Sequence, residues 1–276
     1  MNAIERSIAL AYAQPSKVIY MAGQSNMQGR DVDGTNLTSR ANDGSIYEYR
    51  NSDGVERNTF LTNYPSGGSI SQFGPNVGSM RTLRANGETD NYCIRFGVGG
   101  HCLPAFLPES DRLIDPQNDL PDGDTNQSGA MVSFFNNSTD DMIARYFRKP
   151  SGVVFVWYQG AEDSKFNGEQ AYGQDLSGLY DGHLWLLITR MRGSALNYPA
   201  GHVVIIRSPD WNSNTPGSKP YQDVVRAAQV SVANATSNCD WLTSDINQSV
   251  TTTWEDGSHI DAASQERLGI DLAALI

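Results

Sequence analysis

Five short apolar runs, separated by stretches of helical patterning, constrain this 276-residue chain more than any other feature. They fall at 18–22, 92–98, 152–158, 202–208 and 241–243, and each ends close to Gly, Ser, Asp or Asn. The runs are apolar or β-branched without strict alternation, as strands buried on both faces are. Between them lie helical segments. "DDMIARYFRK" (140–149) starts acidic, ends basic and is stopped by Pro150. "LSGLYDGHLWLLITRMRG" sets Leu176, Leu179, Tyr180, His183, Leu184, Leu187 and Met191 on one helical face, with Gly193 as its C-cap. "PYQDVVRAAQVSVANA" and "IDAASQERLGIDLAALI" predict two more helices. Strands alternating with helices imply an α/β chain with a mostly parallel sheet covered on both faces. Ligands of such sheets bind beyond the C-terminal ends of the strands.

Neither an internal repeat nor a long Pro- or charge-rich linker divides the sequence, so a single domain over 1–276 is expected. The polar, glycine-dotted segment 31–91 reads as a loop-rich insertion beside the active site, long enough to hold short strands or a helix of its own. The formal charge of −11 makes a nucleic-acid phosphate backbone or an anionic membrane a poor partner. Membrane insertion is not expected, because no apolar run approaches the ~18 residues a spanning helix needs. Three cysteines (Cys93, Cys102, Cys239) and four histidines in separate contexts suggest neither a disulfide framework nor a metal site. No cofactor is expected. A surface rich in Asn, Ser, Thr, Asp and Gly suits an extracellular or virion-associated protein better than a cytoplasmic one.

The residues with chemical potential come just after the strands. In "YMAGQSNMQGR" an apolar strand breaks on Gly23 and delivers Ser25 between two amides, Gln24 and Asn26. A serine after a strand is ordinarily a turn residue or a helix N-cap. It becomes a nucleophile only where a base, a group that orients the base, and oxyanion donors converge on it. "TTTWEDGSHIDAASQERLG" offers His259 as base and Asp256, three residues earlier, as its partner. Asp261 is the nearby rival, at a position where the next helix wants an N-cap. "VVFVWYQGAEDS" ends a strand on Gln159, whose amide N–H can join the Ser25 backbone N–H in an oxyanion hole. In "RFGVGGHCLPAF" the Gly99-Gly100 turn brings a further backbone N–H, Gly100 before Gly99. Gln24, Asn26 and Trp254 are candidates for substrate binding, and Trp211, Tyr64 and Phe73 for stacking at the rim. A rival assignment, Cys102 as thiol nucleophile with His101, is disfavoured because side chains adjacent in sequence rarely face each other at a strand end. His183 reads as a packed histidine, and His202 as structural.

"GQSNMQGR", "VGG", "WYQG-x-x-D" and "DGSHIDAASQERLG", in that order, resemble the SGNH (GDSL-like) hydrolase superfamily. The similarity is to its sialic-acid-acetylesterase-like branch of carbohydrate acetylesterases. "VRAAQ" (225–229) resembles that branch's helix before the last strand, so the likeness runs from about Val18 to Gly269. It implies a three-layer α/β/α sandwich with a flavodoxin-like sheet, and a metal-free Ser–His–Asp mechanism. Ser25 would be nucleophile, His259 base and Asp256 its partner, with Ser25, Gly99, Gly100 and Gln159 giving the oxyanion donors. The implied activity is removal of O-acetyl groups from a carbohydrate, in steps that depend on deprotonated His259. One position departs from the branch's W-x-Q-G-E-x-D: Ala161 stands where Glu is usual, with Glu162 next to it and Asp163 in place. Either Glu162 substitutes through a shifted turn, or the cleft is modified. The second case keeps an alternative open, a carbohydrate-binding module with weakened catalysis.

Overall fold

The computed structural model describes residues 17–28, 48–52, 55–57, 74–88, 90–113, 126–146, 148–165, 175–210, 219–245 and 259–276. Within them the strands are β1 (Lys17–Gly23), β2 (Glu48–Ser52), β3 (Val55–Arg57), β4 (Tyr92–Gly97), β5 (Gly152–Tyr158), β6 (His202–Arg207) and β7 (Cys239–Thr243). The helices are α1 (Ser25–Gln28), α2 (Asn76–Ala85), α3 (Ser128–Tyr146), α4 (Tyr180–Arg192), α5 (Gln222–Ala235) and α6 (Ala262–Ala273). Short 3-10 turns sit at Leu103–Phe106, Glu109–Asp111 and Asp163–Lys165.

One sheet runs in the order β3-β2-β4-β1-β5-β6-β7. Every neighbouring pair is parallel except β2 with β3. The five strands read from the apolar runs give β4-β1-β5-β6-β7, the flavodoxin-like order with β1 inside and its successor on the outer side. Strand periodicity divides the core into two. Val18, Tyr20, Ala22, Phe96, Phe155, Trp157 and Ile205 face one layer, with buried residues of α3, α4 and α5. Ile19, Met21, Cys93, Val156 and Ile206 face the other, with Met80 and Leu83 of α2 and Leu268 and Leu272 of α6. This is the three-layer α/β/α sandwich. Tyr20 stacks on Phe135 at 4.5 Å between ring centroids, and Phe106 meets Trp157 edge-on at 5.1 Å.

One expectation changes. The helix predicted at 140–149 begins at Ser128, because Met131, Phe134, Phe135, Ser138 and Met142 already repeat at helical spacing and are buried. The Gly, Ser and Asn between them masked that period. Asn126 Oδ1 accepts the Ser128 N–H at 3.1 Å and closes the helix start. Within segment 31–91 the described residues hold β2, β3 and α2, which belong to the sheet and to one covering layer. On the α2–α6 side, Gly78 and Gly269 let two helices nearly touch. A Cβ on Gly269 would lie 2.1 Å from the Pro75 carbonyl oxygen and 2.8 Å from the Gly78 Cα. No helix among the described residues is long and apolar enough to cross a membrane.

Candidate active site

The C-terminal ends of β1, β4 and β5 lie side by side, with Gly23 paired to both Gly97 and Tyr158. Their turns interlock. The Gln24 N–H donates to the Tyr158 carbonyl at 3.2 Å, and the Val98 N–H to the Gly23 carbonyl at 3.0 Å. No side chain fits at Gly23, where a Cβ would fall 2.0 Å from the Tyr158 oxygen. The chain then turns at once into α1, with Ser25 as first residue. Gly97 leaves space for it, since a Cβ there would sit 2.8 Å from the Gln28 Cα. Ser25 is the most open residue of the turn at 8% exposure, with Gln24 at 4% and Asn26 at 2%.

Both flanking amides are engaged within the protein. Gln24 Oε1 accepts the Gly160 N–H at 3.3 Å and so joins the β1 turn to the β5 turn. Asn26 Oδ1 accepts the Ile260 N–H at 3.2 Å, and the Asn26 carbonyl accepts from Gln265 Nε2 at 2.8 Å. Ile260 directly follows His259. The Ser25 turn and the His259 loop, over two hundred residues apart, are therefore held to each other next door to both side chains. Asp261 is the N-cap of α6: its Oδ1 accepts the Ser264 N–H at 2.8 Å. Asp256, Trp254, Trp211, Tyr64 and Phe73 lie outside the described residues.

Gln159 sits at 1% exposure with its side-chain amide fully used. Its Nε2 donates to the His101 carbonyl at 3.0 Å and to Asp163 Oδ2, while its Oε1 accepts from the Tyr180 hydroxyl at 3.1 Å. In this arrangement neither Nε2 hydrogen is left for a third acceptor. Asp163, fully buried, also accepts the Leu103 N–H through both oxygens at 3.1 Å. Asp163 and Gln159 thus grip the chain on both sides of Cys102, just after the glycine turn. Gly100 has φ +76 and open space where a Cβ would point. His101 Nδ1 donates to the Gly99 carbonyl at 2.9 Å, and Nε2 faces the Gln127 amide. Cys102 is fully buried in the core, so a nucleophile at that position is out of substrate's reach.

Sequence reasoning missed most of the polar frame. Arg95, 3% exposed in the middle of β4, donates through Nη1 to the Met27 and Gln28 carbonyls at 3.0 and 2.9 Å. It closes the C-terminal end of α1, where carbonyls have no helical partner. Its signal was present, a charge inside an apolar strand, which must find buried partners. Gln229 Nε2 donates to the Gln159 carbonyl at 2.6 Å and its Oε1 accepts the Ser208 N–H at 2.9 Å, which gives "VRAAQ" its structural meaning. The Tyr180 hydroxyl donates to the Gln159 carbonyl at 2.9 Å. Burial, and then the Asp163 charge, push its phenol far upward, so it stays a donor. Glu162, beside Ala161, pairs with Lys165 at 2.7 Å. Among the described residues no three His, Cys, Asp or Glu side chains gather as metal ligands would.

The parallel sheet and the turns at its C-terminal edge make this an α/β protein of the SGNH hydrolase fold. A family model for the sialic acid-specific acetylesterases, a carbohydrate esterase family, matches residues 15–276. The chain belongs to that family and is, by that membership, a carbohydrate esterase. Three solved structures show the same fold. An Arabidopsis thaliana protein superposes with a TM-score of 0.59 at 17% identity, over 95% of this chain and 97% of its own. A carbohydrate acetylesterase from Xanthomonas citri gives 0.59 at 15% identity, over 94% of this chain but 55% of its own. NanS gives 0.58 at 13% identity, over 95% and 97% of the two chains. No curated protein matches the chain in sequence.

Proposed function

We propose that the protein is a serine esterase that removes O-acetyl groups from a carbohydrate through an acyl-enzyme on Ser25. His259 takes the Ser25 proton as the hydroxyl attacks the acetyl carbonyl. It then passes that proton to the departing sugar oxygen. Water enters, His259 takes its proton in turn, and acetate leaves as Ser25 is restored. Asp256 orients the imidazole and stabilises its charged form. The tetrahedral oxyanion is received by the backbone N–H groups of Ser25 and Gly100, with Gly99 beside it. Gln159 serves this hole through the chain it grips rather than by its own amide. Gln24 and Asn26 likewise act by fixing the turn, and Trp254 is the candidate for substrate contact.

The observation that carries this reading is the Asn26–Ile260 bond, which ties the neighbours of Ser25 and His259 together at 3.2 Å. The test is hydrolysis of p-nitrophenyl acetate and acetate release from acetylated glycans. Ser25→Ala should lower kcat by on the order of 10³-fold or more while the protein stays folded. Full activity in that variant would overturn the reading. The binding-module alternative draws on Ala161 and on Glu162 being turned to Lys165. It predicts glycan binding without acetate release in the unaltered protein.

A further inference from the structure

We propose that Asn26 and Gln265 form a positioning clamp that sets the His259 loop against the Ser25 turn. The inference rests on the serine-esterase reading and concerns how its two reacting side chains are kept in register.

The clamp has two strands of contact, both buried. Through its side chain Asn26 accepts the N–H of Ile260, the residue after His259. Through its own carbonyl it accepts Gln265 Nε2, one turn into α6. The nucleophile turn is therefore pinned both to the loop that brings the base and to the helix that follows it. Arg95 holds the far end of α1. Ser25 then has little freedom to move away from the loop at 259.

Gln265 itself points to function. It is fully buried, and its Oε1 has no hydrogen-bond partner among the described residues. A buried amide with one end unsatisfied gives back part of what its other bond contributes. Methionine would remove that loss but leave the Asn26 carbonyl without its Gln265 donor, so the two effects on stability oppose each other. Among the described residues its side chain makes one bond, and that bond runs to the residue after the nucleophile. Sub-ångström control of reacting atoms is where such a cost is repaid in rate.

The experiment measures kcat, KM and thermal midpoint for Gln265→Met on p-nitrophenyl acetate, beside Asn26→Leu and Asn26→Asp. Gln265→Met removes an unsatisfied oxygen and also the Asn26 carbonyl's donor, so the midpoint should move by no more than ~3 °C while kcat falls about tenfold and KM stays within about threefold. Asn26→Leu should lose about 10²-fold in kcat. Asn26→Asp, which keeps the acceptor, should recover most of that loss and move the acid limb of the pH–rate profile upward, because a negative charge beside the base favours its protonated form. Unchanged kcat in a folded Gln265→Met would overturn the clamp, as would a parallel fall of kcat and midpoint or a failure to fold. Ser25→Ala separates the two levels: if it remains active, the esterase reading fails. If it is inactive while Gln265→Met is not, only the clamp fails.

Discussion

Most residues that frame this site are polar side chains held by other polar side chains, and their effects follow from which hydrogen bonds have no substitute. Asp163 offers acceptors to both the Leu103 and Gln159 N–H groups. Asparagine in its place has one acceptor oxygen, and its amide would face the Gln159 amide donor to donor. Asp163→Asn should therefore lower kcat by about tenfold or more with a smaller change in KM, because the glycine turn loosens while substrate contacts remain. Steady-state kinetics on p-nitrophenyl acetate checks this. Gly160 is constrained more simply. At φ +144 a Cβ would fall 2.4 Å from Ser208 Oγ and 2.9 Å from Val225 Cγ1. Gly160→Ala should cost about 1–3 kcal/mol in urea unfolding, and activity should fall with it, since Ser208 and Gln229 both bond the Gln159 carbonyl.

Elements matter here mainly through what their ends carry. α6 presents the 259–260 loop and the Gln265 contact, so its seat on α2 sets where the base loop arrives. That seat depends on glycine against glycine. A Cβ at Gly269 meets backbone atoms, the Pro75 oxygen at 2.1 Å and the Ser79 nitrogen at 2.6 Å, which no side-chain rotation relieves. Gly269→Ala should push the helices apart, destabilise the protein by about 1–3 kcal/mol and reduce kcat as well. The paired outcome is checked by unfolding and kinetics on one preparation. Retained kcat in a destabilised variant would show that the loop position does not depend on this crossing. At the ends of β6 and β7, Asp245 pairs with Arg207 at 2.7 Å and with Arg226 of α5. Burial pushes the Asp245 carboxyl up, but the Arg226 hydrogen bonds and charge, the Asp210 N–H and the Arg207 charge outweigh it and hold the group below its usual range.

Over the whole molecule, two groups make acid destabilising by different routes, His183 fully buried and Asp245 partly so. Burial pushes His183 down from the ordinary 6.5 to about 4, with the Asp181 charge opposing and the Arg112 charge assisting. Its Nε2 accepts the Leu113 N–H at 2.9 Å, which requires the neutral ring. Between about 6.5 and about 4 the unfolded chain binds a proton the folded chain refuses, so stability falls as pH falls. His183→Gln, which keeps an acceptor, should flatten thermal midpoint against pH over that window. Asp245 has the usual depressed-carboxylate sign. Its contribution is present above the ordinary carboxylate range and is lost as pH falls through its folded value. Asp245→Asn should therefore lower the midpoint at pH ~7 by on the order of 5 °C, with the gap closing in strong acid.

How much of this was legible in the sequence follows from the range of the forces involved. The strands could be read because parallel strands buried on both faces need apolar residues throughout, a local requirement written in consecutive letters. The α6 cap could be read for the same reason, since Asp261 meets Ser264 three residues on. The helix start at Ser128 was hidden because its buried residues are separated in sequence by glycine and asparagine, whose propensity points the other way. Motif order identified the turns that carry Ser25, Gln159 and His259. It could not say what their amides do, because a glutamine at a strand end reads the same whether its N–H meets substrate or Asp163. The sequence by itself determined the layered sheet and which loops gather at its edge, through periodicity and burial. Only the tertiary structure decided the partners of Asn26, Arg95, Gln159, Asp163 and Gln265. A hydrogen bond is chosen by proximity and direction in space, and neither is encoded until the chain has folded.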